Sequence, residues 1–202
     1  MKIGIIDSGL GGLIILKSMI EKMPEYDYVY FGDTLHMPYG EKSREEVYEY
    51  VLKIVDYLFS ICDCAIIVIA CNTATSIALK KLQQEYLPKY YPDRKILGVI
   101  IPTIEMLSED MKKVGVIATT STVKSKVYSQ EIYKYFGDKI EVFEQAAPLL
   151  ATMIENNDLK SINIILKEYL QPLIELNINT LILGCTHYPL IRSNIKSFLP
   201  NN

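Results

Sequence analysis

The chain alternates short apolar runs with longer amphipathic stretches, and this alternation constrains its fold more than any other feature. Strands are predicted over residues 2–6, 27–31, 64–70, 96–101, 114–118, 140–143 and 180–183. Helical spacing of apolar residues is clearest over residues 43–61, with Ser43 as the expected cap, and a further helix is predicted over residues 120–136. Pro102 is expected to end the strand over residues 96–101. Strands that are apolar on both faces and alternate with helices indicate parallel sheets covered by helices on each side. In such sheets ligands bind beyond the carboxyl ends of the strands.

Composition excludes several classes of protein. Of the 202 residues, 50% are apolar and 22% are charged, which is typical of a globular chain. The formal net charge of −3 lacks the basic excess that nucleic-acid binding requires. No apolar run reaches the roughly 18–20 residues of a membrane span, and Asp7 interrupts the apolar start too early for a signal peptide. We expect a cytoplasmic protein with a small-molecule substrate and no nucleic-acid or membrane partner.

The sequence suggests two domains. A stretch rich in Pro and Tyr, residues 87–93, predicts a boundary that separates residues 1–91 from residues 92–202. The halves echo each other, because residues 66–74 (IIVIACNTA) and 181–189 (LILGCTHYP) share one pattern. Each is an apolar strand, a small residue, a cysteine and then a helix, so each cysteine should hold the same place in its own half.

Two of the four cysteines are candidates for chemistry. Cys71 and Cys185 are each predicted to lie between the end of a strand and the start of a helix, where the positive end of the helix favours a thiolate. Cys62 and Cys64 precede or begin a buried strand, so we expect them to serve packing. The alternative is that all four thiols are inert and buried. The chain has no C-x-x-C pair and two histidines, so no metal site is predicted.

Polar segments follow the predicted strands. Asp7 and Ser8 open a glycine-rich turn whose amides could face an anion, although the dinucleotide fingerprint is incomplete and a simple helix cap is the alternative. A loop over residues 33–40 is either a substrate loop or an ordinary surface turn. Cys185 and His187 could form a thiol–imidazole pair, for which the sequence shows no evident acidic partner.

Together, five segments resemble the glutamate racemase family, within the aspartate/glutamate racemase superfamily. They are residues 6–12 (IDSGLGG), 31–43 (FGDTLHMPYGEKS), 70–75 (ACNTAT), 114–118 (VGVIA) and 183–190 (LGCTHYPL). The resemblance covers nearly the whole chain and implies two α/β domains that face each other across a cleft. It implies interconversion of L- and D-glutamate without cofactor or metal, which would supply D-glutamate for peptidoglycan and so serve cell-wall biogenesis and cell shape.

The resemblance also implies roles for individual residues. Cys71 and Cys185 match the two catalytic cysteines, which face the α-carbon from opposite sides. Asp7 would assist Cys71, and His187 would assist Cys185. Glu155 matches an acidic position of the family and is a candidate auxiliary residue. The matching substrate-binding positions are Ser8, Tyr39, Gly40, Asn72, Thr73 and Thr186.

The chemistry of racemisation suits a pair of thiols. One group must remove the α-proton, and another must return a proton on the opposite face. With pKa values near 8.5, two thiols can reach the required state of one thiolate and one thiol. Because a general base alone cannot overcome the weak acidity of the α-proton, fixed donors must stabilise the developing charge, and hydroxyls around Ser8, Thr73 and Thr186 would supply them.

The sequence departs from the family at three places. His36 stands where the family usually has Arg, and Ala147 stands where it usually has Cys. Family members usually continue past the equivalent of Asn202 with a strand and helix that return to the first domain. We therefore expect an incomplete first domain that favours a homodimer.

Three alternatives to a glutamate racemase remain open. One is an aspartate or other amino-acid racemase of the superfamily, since substrates that differ by one methylene are hard to tell apart. Another is a truncated, inactive paralogue that binds an amino acid. The third is a thiol hydrolase built on Cys185 and His187, which leaves Cys71 unexplained.

Overall fold

The structure, a computed structural model, describes residues 1–199. These residues divide into two compact units, Met1–Val99 and a second that begins at Ile100. The expected boundary after residue 91 is too early, because the strand Lys95–Gly98 hydrogen-bonds to the sheet of the first unit. The predicted fold class is confirmed: both units are parallel sheets flanked by helices.

Residues 1–99 form a four-stranded parallel sheet in the order β2-β1-β3-β4. Its elements are β1 (Lys2–Asp7), α1 (Leu13–Lys22), β2 (Asp27–Gly32), α2 (Arg44–Ser60), β3 (Ile66–Ile69), α3 (Asn72–Lys81), α4 (Leu87–Tyr90) and β4 (Lys95–Gly98). A 3-10 turn, Tyr39–Glu41, precedes α2, and a π-helical turn, Leu82–Tyr86, follows α3. Ile6 of β1 pairs with Phe31 of β2 and with Ile69 of β3, so the carboxyl ends of these strands meet at one edge.

Helix α2 shows how the sequence specifies this unit. Ser43 is its cap, as predicted: the Ser43 hydroxyl accepts from the Glu46 amide, and the Glu46 carboxylate accepts from the Ser43 amide at 3.0 Å. Its buried apolar face comprises Val47, Val51, Ile54, Val55, Leu58 and Phe59. This face packs against the sheet, and the cap fixes where the preceding loop must end.

Residues 100–199 form a three-stranded parallel sheet in the order β6-β5-β7. Its elements are α5 (Ile100–Glu105), β5 (Lys113–Ala118), α6 (Thr120–Ser125), α7 (Val127–Phe136), β6 (Glu141–Ala146), α8 (Leu150–Glu155), α9 (Leu159–Glu175), β7 (Thr180–Gly184) and α10 (Arg192–Phe198). A 3-10 turn, Tyr188–Ile191, precedes α10. Ala118 pairs with Gly184, so β5 and β7 also end at one edge.

Two predicted elements differ in the structure. The strand predicted over residues 96–101 ends at Gly98, and its last residues begin α5. Pro102 lies in the first turn of α5, where a missing amide costs no hydrogen bond, so it does not terminate the element as expected. The helix predicted over residues 120–136 is divided at Lys126, which adopts a left-handed conformation with a φ of 57°.

The longest helices of the described chain are α2 and α9, with 17 residues each. Among residues 1–199, no helix combines the length and the apolar character needed to cross a bilayer.

Candidate active site

The carboxylate of Asp7 organises the edge of the first sheet. Asp7 ends β1 and is fully buried. Its Oδ2 accepts from the amides of Gly9 at 3.2 Å and Gly12 at 3.0 Å. A Cβ on Gly12 would lie 2.7 Å from the Cβ of Asp7, so only glycine allows the turn to approach so closely. Amides of the glycine-rich turn, predicted to face an anion, therefore bind the chain's own carboxylate.

Cys71 follows β3 and caps the N-terminus of α3. Its Sγ accepts from the amide of Ala74 at 3.4 Å and lies 3.5 Å from the Ser8 hydroxyl, to which it donates. Burial and then the nearby Asp7 carboxylate raise the pKa of Cys71 to about 11, although its hydrogen bonds with Ala74, Ser8 and Thr73 act in the opposite direction. At neutral pH this group is a thiol.

Tyr39 lies close to this thiol. Its side chain is only 1% exposed, and its hydroxyl donates to Oδ2 of Asp33 at 2.6 Å. Burial and the Asp33 hydrogen bond raise the pKa of Tyr39 far above its usual value, with smaller contributions from the charges of Cys71 and Asp7. Gly40 comes next in the same 3-10 turn.

The structure thus gathers the predicted residues of the first unit at one sheet edge. Asn72 and Thr73 are buried in the first turn of α3. The set comprises Asp7, Ser8, Tyr39, Gly40, Cys71, Asn72 and Thr73.

The second unit holds the other predicted residues at the end of β7. Cys185 directly follows this strand, and its Sγ lies 3.6 Å from Nδ1 of His187. The Thr186 hydroxyl lies 3.5 Å from the same nitrogen. On the other side of the ring, Nε2 of His187 lies 2.7 Å from Oε1 of Glu155, the last residue of α8. Glu155, His187 and Cys185 form a continuous chain of polar contacts.

Glu155 supplies the acidic partner that residue-by-residue reasoning did not find for His187. The two residues are 32 positions apart and meet only because α8 packs near the end of β7. In the sequence, only the family resemblance predicts Glu155 as a site residue. A carboxylate on one ring nitrogen fixes which tautomer faces the thiol, so this contact has direct chemical consequences.

Two further polar groups are not among the individually predicted site residues, although Asp33 begins the candidate substrate loop over residues 33–40. Asp33, directly after β2, accepts from both Tyr39 and His36. In the second unit, Thr119 caps α6 directly after β5, and its hydroxyl lies 3.0 Å from that of the fully buried Thr122. The sequence could have identified both Asp33 and Thr119 as site candidates, because each directly follows an apolar strand at the edge where ligands bind.

The described residues include no cluster of three or more His, Cys, Asp and Glu side chains arranged to hold a metal ion. All four cysteines are free thiols.

Each of the two parallel α/β units carries a cysteine just beyond the end of a strand, and comparison with known proteins places the chain among the amino-acid racemases. The family model described as Asp/Glu/Hydantoin racemase matches residues 3–200. The chain belongs to this family, which confirms the predicted resemblance.

Individual relatives and solved structures that the chain resembles are glutamate racemases. The chain is 40% identical over 205 residues to a glutamate racemase of Sulfurihydrogenibium sp. (strain YO3AOP1), an alignment that covers all of this chain and 76% of the relative. It superposes on a glutamate racemase isoform from Bacillus anthracis with a TM-score of 0.89 and 36% identity, covering 98% of this chain and 73% of the other. The same values hold for a glutamate racemase from Francisella tularensis in complex with D-glutamate.

Proposed function

We propose that this chain interconverts L- and D-glutamate without a cofactor, with Cys71 and Cys185 as the two acid–base groups. The observation that carries the proposal is the pair of strand-end thiols with different proton partners, one beside Asp7 and the other beside His187. Relatives at 35–42% identity are named glutamate racemases, and one structural neighbour is complexed with D-glutamate.

This mechanism requires the two thiols to face the α-carbon from opposite sides. One thiolate removes the α-proton, and the opposite thiol returns a proton to the other face. The raised pKa of Cys71 makes it the proton donor of the resting enzyme. Reaction in the reverse direction exchanges the two roles, so the enzyme needs no other base.

His187 prepares Cys185 as the base. Since a carboxylate only accepts hydrogen bonds, Nε2–H of His187 donates to Glu155, which leaves the lone pair of Nδ1 directed towards the Cys185 thiol. The imidazole can then take the thiol proton, and Glu155 stabilises the resulting positive charge. Asp7, beside Cys71, is the proposed partner of this thiol when the reaction runs in the reverse direction and Cys71 must give up its proton to act as the base.

Charge that develops on the substrate requires donors from the protein. Ser8, Asn72 and Thr73 place side-chain donors at the N-terminus of α3, where the helix dipole also favours an anion. Thr186 contributes a hydroxyl beside Cys185. We propose that these groups bind the carboxylates and the amino group of glutamate, together with Tyr39 and Gly40.

A specific observation also favours a second candidate function. Cys185, His187 and Glu155 have the order of a nucleophile, a base and an orienting acid, as in cysteine-dependent acyl transfer. Hydrolysis by this group would leave Cys71 without a role. Hydrolysis that survives Cys71→Ala would identify this candidate.

Isotope exchange tests the proposed function. Incubation with either enantiomer of glutamate in deuterated water should place deuterium at the α-carbon and end in an equal mixture of L and D forms. A parallel assay with aspartate tests the closest alternative substrate, and the Cys71→Ala/Cys185→Ala double variant is the control. Retention of the α-proton in the wild-type reaction would contradict the proposal, as would activity that requires added metal or pyridoxal phosphate.

We further propose that the product supplies D-glutamate for peptidoglycan in the cytoplasm and that the protein acts as a homodimer. The four free thiols are suited to a reducing compartment. Expression should restore growth of a bacterial strain that depends on added D-glutamate, whereas the double cysteine variant should not. Sedimentation of the purified protein would reveal the dimer.

A further inference from the structure

A hydrogen-bonded group outside the proposed acid–base machinery connects the loop after β2 to the first thiol. The buried carboxylate of Asp33 accepts from the Tyr39 hydroxyl at 2.6 Å. Nδ1 of His36 lies 2.8 and 2.9 Å from the two oxygens of the same carboxylate. The His36 ring stacks on Tyr50 of α2, with centroids 4.0 Å apart and planes inclined by 17°.

These contacts fix the orientation of the carboxylate. Because a carboxylate only accepts, Nδ1 of His36 must donate to it, so two donors from different directions hold Asp33. Stacking on Tyr50 in turn restricts rotation of the His36 ring. Charge-assisted hydrogen bonds of this kind are among the stronger ones in proteins, and burial of Asp33 excludes competing water.

The backbone ties the same loop to the site. The Asp33 amide donates to the backbone carbonyl of Asp7 at 3.0 Å, and the cap of α2 fixes the other end of the loop at Ser43. Tyr39 and Gly40 lie between these anchors. The Tyr39–Asp33 hydrogen bond is therefore a side-chain link between the middle of the loop and the strand edge that carries Asp7.

We propose that Asp33 is a positioning residue that holds Tyr39 and Gly40 in place for substrate, with His36, supported by Tyr50, fixing the Asp33 carboxylate. The inference rests on the proposed function, since it assigns a use to Tyr39 and Gly40 in binding glutamate. Asp33 itself acts through Tyr39 and does not contact the reacting atoms.

A double-mutant cycle tests the proposal, with kcat and KM for glutamate measured alongside the affinity for D-glutamate. Asp33→Ala leaves the buried Tyr39 hydroxyl without its acceptor and should lower kcat/KM by roughly tenfold or more, mainly through KM. Tyr39→Phe should cause a loss of similar size. The double variant should lose no more than Asp33→Ala alone, because both changes remove the same hydrogen bond.

Two further variants separate positioning from general stability. Asp33→Asn keeps an acceptor for Tyr39 and should retain more kcat/KM than Asp33→Ala, and it provides the test if Asp33→Ala does not fold. Tyr28→Phe is the matched control, because the Tyr28 hydroxyl donates to the Met23 carbonyl at 2.8 Å in the same unit. It should lower the free energy of unfolding without changing KM.

The outcomes distinguish this inference from the proposed function. Losses that add in the double variant, or equal losses in Asp33→Asn and Asp33→Ala, would overturn the positioning role while leaving racemisation intact. A wild-type chain that binds D-glutamate without racemising it would overturn the proposed function alone, and the affinities would then decide the inference. A wild-type chain that neither binds nor racemises glutamate would overturn both.

Discussion

The two strand-end cysteines hold matching places in their sheets, but their neighbours are chemically opposite. Cys71 lies beside a carboxylate and a hydroxyl, and burial with that carboxylate raises its pKa to about 11. Cys185 lies beside an imidazole that is itself held by Glu155. In the proposed mechanism, this difference prepares two identical groups in equivalent positions for different halves of a proton transfer, through one neighbouring side chain each.

The largest expected effect comes from removing either thiol. Cys71→Ala and Cys185→Ala should each lower racemisation by at least about a thousandfold, because each enantiomer needs both an acid and a base. Initial rates from L-glutamate and from D-glutamate, measured separately, check this. Near-normal turnover in either variant would show that the two positions are not the proposed pair.

The other two cysteines provide the matched controls. Cys62→Ala and Cys64→Ala should keep nearly full activity. Cys64 is fully buried in the core beneath α2, so its loss should reduce the free energy of unfolding by about 1–2 kcal/mol.

The next prediction concerns how the rate of Cys71 alkylation depends on pH, with an expected change of about a hundredfold. Since only the thiolate is alkylated, the rate of Cys71 modification by iodoacetamide should rise about a hundredfold from pH 8 to pH 10, with no plateau in that range. Mass spectrometry of a variant whose other three cysteines are serine measures this rate. Asp7→Asn removes one cause of the raised pKa, so the same rise should occur at lower pH. A plateau below pH 9 in the unaltered site would contradict the assignment of Cys71 as the resting thiol.

The smallest expected effect comes from replacing Glu155, the carboxylate that binds the His187 imidazole. Glu155→Gln still accepts from Nε2 of His187 but loses the charge that stabilises the imidazolium, so kcat should fall about tenfold with little change in KM. Glu141→Gln, on the exposed start of β6, is the control and should leave kcat unchanged. If KM rises instead while kcat is preserved, Glu155 serves substrate binding and the proposed asymmetry between the thiols is lost.

Local patterns were enough to predict the parts of the molecule that depend on neighbours in sequence. Apolar runs followed by Cys71 and Cys185 placed both thiols at strand ends, and the Ser43 cap followed from the residues around it. The run over residues 96–101 is predicted as one strand, but its last residues begin helix α5, because a short apolar segment suits a strand and a buried helix equally well. The boundary between the two units lies after residue 99 and not after residue 91, because β4 pairs with β3 of the first unit, a long-range contact that local sequence does not reveal.

Contacts between distant residues explain what sequence patterns missed in the site. Glu155 and His187 are 32 positions apart, and a whole helix, α9, lies between them in the sequence, so their hydrogen bond depends on packing. Asp33 and Tyr39 are close in sequence, but nothing in their spacing reveals that the Tyr39 ring turns inward to a buried carboxylate. Such hydrogen bonds depend on the tertiary fold, whereas the periodicity of strands and helices depends on residues that are close in sequence.

Helix α1 has a consequence for the dynamics of the site. It is 10 residues long and has no fully buried side chain, whereas helices of this length are marginal in water without tertiary packing. Its amides should therefore exchange with deuterated solvent far faster than those of β1, the strand that immediately precedes it. Gly12, at the start of α1, donates one of the two amides that hold the Asp7 carboxylate. Each local opening that reaches Gly12 thus releases one of the two amides that hold the Asp7 carboxylate beside Cys71.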